Sequence, residues 1–83
     1  MDYRQIVVID PERRSGQPCV RGLRISVKDV LEYLASGMTT QEILEDFPEL
    51  QQEDILACCS YAAAILAPSS LPPIEIMPSH LRQ

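Results

Sequence analysis

No apolar run in these 83 residues approaches the roughly 18 that a membrane-crossing helix needs, so the reading contains no spanning helix and no membrane partner. Histidine occurs once, at His80, too few for converging histidine ligands at a metal, and nucleophilic catalysis has no plausible base except through that residue. The three cysteines have the spacing of neither a disulfide framework nor a zinc site. Cys58 and Cys59 are adjacent, so on a helix they point about 100° apart and cannot hold one ion together. Both read as small core residues. Glycine is scarce, and no glycine-rich phosphate loop is present. Asp46, Glu49, Glu53 and Asp54 are the carboxylates that a magnesium site would have to use. They fall on helix ends and a corner, where acids also serve as caps and solvated surface. The chain therefore reads as a non-enzyme with no cofactor and no metal. Met1-Asp2-Tyr3-Arg4 lacks the shape of a signal peptide, and a cytoplasmic, reducing location is the expectation.

Basic residues are also missing from most of the chain. Arg4, Arg13, Arg14, Arg21, Arg24 and Lys28 precede Asp29, against Asp2, Asp10 and Glu12. From Asp29 onward Arg82 stands alone against nine acids, and the whole chain carries −5. A polyanion would meet the first part and a basic partner the second.

What is present is a succession of short, well-punctuated elements. Ile6-Val7-Val8-Ile9 is a β-branched run ended by Asp10-Pro11 and reads as a strand; with four apolar positions in a row, both its faces should be covered, one by the same strand of a second copy in a homodimer. Pro11 to Gln17 is a polar loop carrying Arg13 and Arg14. Cys19 to Ile25 has apolar residues on both sides of Arg21-Gly22 and fits either a tight hairpin or a kinked arm, with Arg21 and Arg24 projecting or pairing with Asp29 or Glu32. Ser26 caps a helix in which Val27, Val30, Leu31, Leu34 and Ala35 form one stripe and Gly37 ends the run. Thr39-x-x-Glu42 is a capping box that opens a short helix ending near Asp46, because Pro48 disfavours helical geometry at Phe47. Leu50 tucks under the corner. A longer helix starts at Gln52, with Ile55, Cys59, Ala62, Ala63 and Leu66 on one face. Helix, corner, longer helix is the order of a helix-turn-helix unit, and equally of a plain helical hairpin in a small core.

Residues 1–66 thus read as one domain: mainly α, a three-helix helix-turn-helix core with a short N-terminal β strand or hairpin. Residues 67–83 form a proline-rich tail with Leu71, Ile74, Ile76 and Met77 between or beside its four prolines. Such a segment docks back on the domain or orders on a partner.

Asp10-Pro11, the run from Gly16 to Val27, Leu34-Ala35-Ser36-Gly37, Glu42-Ile43-Leu44 and the stretch from Phe47 to Ile55 together resemble the family known as domain of unknown function 433. The G-x-P-x-V-R-G-x-R-I core and the F-P-x-L-x-x-E-D-I segment occur in order at that family's spacing. The resemblance spans roughly residues 4–66 and departs at Leu23, where the family usually has threonine, and at Gln51, where it usually has threonine or serine. It implies a winged or homeodomain-like helix-turn-helix and a bacterial type II antitoxin whose partner is a PIN-like ribonuclease toxin.

Two functional expectations follow. In the first, the chain also binds its own operator DNA, with Arg13, Arg14, Arg21 and Arg24 on the backbone or minor groove and Gln51 and Gln52 reading bases. Glu53 and Asp54 oppose this by repelling phosphates. In the second, the chain is a protein-binding inhibitor without DNA contact, and Leu71, Ile74, Ile76 and Met77 hold the toxin.

Overall fold

The computed structural model of the chain describes residues 2–12 and 14–67. Two strands, β1 (Val7–Ile9) and β2 (Pro18–Val20), precede three helices, α1 (Val27–Ala35), α2 (Thr40–Asp46) and α3 (Gln52–Ile65). The mainly helical fold with an N-terminal β hairpin is the one expected from sequence. Tail residues 68–83, including Leu71, Ile74, Ile76 and Met77, lie outside the described residues, as does Arg13.

β1 and β2 pair antiparallel, with Val7 opposite Val20 and Ile9 opposite Pro18. The intervening loop reverses through Ser15 and Gly16, both at positive φ, and Asp10 Oδ1 accepts the Glu12 N–H at 2.9 Å. β2 then folds straight back. The Leu23 N–H donates to the Val20 carbonyl and the Val20 N–H to Ile25, and Cys19 bridges Ser26. Of the two sequence alternatives this is the tight hairpin, with Arg21 and Gly22 at its tip. Within a single chain Val7 is buried, while Val8 and Ile9 are about half exposed. The sheet has two strands, so covering the exposed side of β1 would take another molecule, as the expected homodimer supposes.

The helices start and stop for local reasons. Ser26 Oγ accepts the Asp29 N–H at 3.0 Å, and α1 closes with the Gly37 N–H on Leu34 and the Met38 N–H on Tyr33. This left-handed closure puts Gly37 at φ 101°, where a side chain would be strained although nothing crowds it. The capping box of α2 is reciprocal. Thr39 Oγ1 accepts from the Glu42 amide at 3.1 Å, and Glu42 Oε1 from the Thr39 amide at 2.8 Å. The hydrogen bond from Thr39 holds the Glu42 carboxyl below its usual range. Phe47 leaves helical geometry ahead of Pro48, and Leu50, buried, donates its N–H to Phe47 in the corner.

Val7, Val20, Val27, Val30, Ile43, Leu50, Ile55, Ala57 and Cys58 form one core, so every element contributes. Burying each larger aliphatic side chain contributes about 2 kcal/mol. Tyr33 stacks on Phe47 at 5.1 Å and Tyr3 meets Tyr61 edge-on at 5.5 Å, closing the two sides.

α3 is rotated from the face read in the sequence. Asp54, Ile55, Ala57 and Cys58 are buried, while Cys59, Ala63 and Leu66 are exposed. Nearly every residue from Ile55 to Leu66 is apolar, so periodicity could not choose a face; the carboxylate of Asp54 chooses it by turning inward. Burial also pushes the Cys58 thiol up to about 12. A thiol reagent at pH 8 should therefore label one cysteine, Cys59, in the native chain and all three after denaturation. Prompt labelling of Cys58 would contradict this orientation of α3.

Candidate functional site

The hairpin tip and the start of α3 meet at a single buried charge. Asp54 is 1% exposed, and both its oxygens accept from Arg21 Nη2, at 2.9 and 2.7 Å. Asp54 Oδ2 also accepts the Gln51 N–H at 2.8 Å, so this carboxylate caps the helix it stands in. Gln51 is a weak capping residue, and the first turn of α3 is held by Asp54 instead. The hydrogen bond that Arg21 donates to Asp54 raises the guanidinium above its ordinary range, and the charge of Asp54 adds to it. The Arg21 side chain remains 44% exposed, reaching inward from the surface with one end of its guanidinium. Its own backbone N–H is fixed on the Ile6 carbonyl at 2.6 Å.

Around this clamp the candidate binding residues are distributed unevenly. Arg21 and Gln51 converge on Asp54. Gln51 and Gln52 are exposed on the first turn of α3, beside exposed Glu53. Arg24 is exposed on the far side of the tip and shares a shallow cavity of about 330 Å³ with Leu23 and Glu49 of the corner. Arg14 opens the short 3-10 turn Arg14–Gly16 between the strands. The guanidinium of Arg21, expected on a nucleic acid, is thus engaged inside the fold, and its partner is neither Asp29 nor Glu32. Glu32 lies 2.9 Å from Lys28.

Sequence pattern left Asp54 among the acids that serve as caps or solvated surface, and the structure makes it a buried cap. Its signal was present: an acid at the third position of a helix whose cap is only glutamine, in the same segment as Pro48 and Ile55.

The outer surface of α2, the corner and the start of α3 is acidic throughout. Glu42, Glu45, Asp46, Glu49 and Glu53 are all exposed, and no lysine or arginine occurs between Asp29 and Leu81. Among the described residues no group of three or more His, Cys, Asp or Glu is arranged to hold a metal ion. No helix among them is long and apolar enough to cross a membrane.

An arginine-tipped β hairpin clamped onto the second helix of a helix-corner-helix unit defines a small trihelical domain with an N-terminal β arm. A family model described as "Protein of unknown function (DUF433)" matches residues 7–62, and the chain belongs to that family. It is 39% identical over 61 residues to "Uncharacterized protein y4eO" of Sinorhizobium fredii (strain NBRC 101917 / NGR234); the match takes in 74% of this chain but only 28% of that protein. Among solved structures it is similar to a DUF433 member protein from Anabaena variabilis ATCC 29413, with a TM-score of 0.69 at 30% identity, covering 76% of this chain and 66% of that one.

The clamp has an asymmetric energetic signature. Arg21→Met strands a buried carboxylate and should cost about 3 kcal/mol of unfolding free energy, at the lower end for a buried pair because Arg21 is half exposed. Asp54→Asn keeps an acceptor for Gln51 and leaves an arginine that water can reach, so about 1–2 kcal/mol is expected. Urea unfolding reads both; equal and negligible losses would contradict a structural pair.

Proposed function

We propose that this chain is an antitoxin-type inhibitor that acts by binding a PIN-like ribonuclease, masking the nucleic-acid-binding surface of that enzyme with protein rather than performing chemistry of its own. The observation that carries this reading is the acidic α2–α3 surface, which presents five exposed carboxylates and contributes no lysine or arginine of its own. An enzyme that cleaves RNA must present positive charge to its substrate, and an anionic helix corner is complementary to that charge. The pairing of Arg21 with Asp54 supports the same reading, since it neutralises part of the positive charge a phosphate would meet at the hairpin tip. The apolar tail residues Leu71, Ile74, Ile76 and Met77 belong to this proposal as further toxin contacts.

Operator binding is the second reading, favoured by one observation: Gln51 and Gln52 are both exposed at the start of the second helix of the unit, on the turn that would face bases. Arg24, with Arg13 and Arg14, would then supply the backbone contacts.

The test mixes the full chain with a PIN-like ribonuclease, taken from the adjacent reading frame where that frame encodes one. A stoichiometric complex that suppresses RNA cleavage is expected, and Glu45→Lys with Asp46→Lys should weaken it about tenfold at low salt. No complex, or one indifferent to these reversals, would contradict the proposal. A gel shift on the upstream DNA decides the second reading: Arg24→Ala should weaken binding on all sequences and flatten its salt dependence, and absence of any shift removes it.

A further inference from the structure

Apart from Leu56 in the first half of α3, the large exposed apolar side chains of the described residues gather in two places, the end of β1 and the C-terminal end of α3. The second is the larger feature. The buried residues of α3 all lie in its first half, between Asp54 and Cys58, so its last two turns run past the core. There Tyr61, Ala62, Ile65 and Leu66 face Leu31 and Ala35 of α1 across an open groove of about 450 Å³. Ile65 and Leu66 are 47% and 58% exposed. A helix of this length is marginal in water without packing on its apolar side, so the groove calls for a cover.

Charge selects the cover. The helix corner, with its exposed carboxylates, repels the same surface of a second copy. The groove differs. From Ser60 to Ala67 there is no charged residue, and the rim carries one cation and one anion of α1, Lys28 and Glu32, four residues apart and 69% and 60% exposed. That pair is self-complementary. When two α1 helices meet antiparallel about a two-fold axis, Lys28 of each copy faces Glu32 of the other, and Ala35 and Ala62 allow the backbones to approach closely.

We propose that the α1–α3 groove is a homodimer interface, in which the C-terminal half of α3 and the outer face of α1 pack on the same surfaces of a second copy. The strand β1, expected from sequence to carry the dimer, offers only three residues of edge.

Light scattering on the full chain at about 100 µM should give twice the 9.3 kDa chain mass. Ile65→Asp and Leu66→Asp, at exposed positions, should yield monomers with an unchanged far-UV spectrum. Lys28→Glu should raise the dissociation constant about tenfold, since it sets four acids on the seam, and Lys28→Glu with Glu32→Lys should restore it. These surface changes leave the core untouched, so they test the seam even where an apolar variant fails to fold. A monomeric parent chain overturns the proposal and gives the groove another occupant. So does a dimer that survives Ile65→Asp and is lost with Val8→Lys, which would put the interface on β1.

Discussion

The pairing of Arg21 with Asp54 is the interaction on which this domain turns. A carboxylate with 1% exposure is tolerable only when its oxygens are filled, and here two donors fill them: a guanidinium from the hairpin tip and the amide of Gln51, the residue just before α3. The two residues lie 33 positions apart, one in the V-R-G segment and the other in the E-D-I segment. The pair therefore joins the two most distinctive stretches of the chain. It settles three things together: where the β arm sits, how α3 is rotated, and how a helix with a poor cap begins.

The same pair shapes the outer surface. It draws one end of the Arg21 guanidinium toward the core, while α2, the corner and the start of α3 contribute only carboxylates, so the domain shows a partner an anionic face beside a basic arm. This polarity is the physical basis for proposing a basic protein as the partner. The position normally used to read bases is flanked by Glu53, and a duplex would meet it against that charge. The groove between α1 and the end of α3 lies apart from both regions, and its near-neutral apolar lining suits a copy of the chain itself.

Residue pattern alone recovers the elements whose determinants are local. The Thr39–Glu42 capping box, the Ser26 cap, the Gly37 closure and the break before Pro48 each depend on residues within a turn of one another, and each occurs where the sequence puts it. The face of α3 was not recoverable, because an almost continuous apolar stretch has no preferred side until a long-range partner turns it. For the same reason Cys59 and Leu66 were read as core and are exposed. The covering of β1 depended on whether a second layer exists, which four β-branched residues cannot report. Arg21 and Gln51 stood out as candidate site residues, but Asp54, which gathers them, looked like an ordinary acid at a helix start. Its role becomes visible only when the hairpin tip is brought against α3.

A double-mutant cycle on the full chain tests that joining most directly. Unfolding free energies are measured for the parent, Arg21→Met, Asp54→Leu and the double variant, which isolates the coupling from the loss of either side chain alone. A coupling of about 2 kcal/mol is predicted for the two residues as a clamp between arm and helix. A coupling within about 0.5 kcal/mol of zero would mean that the arm and α3 are held by apolar packing and that the ion pair is incidental.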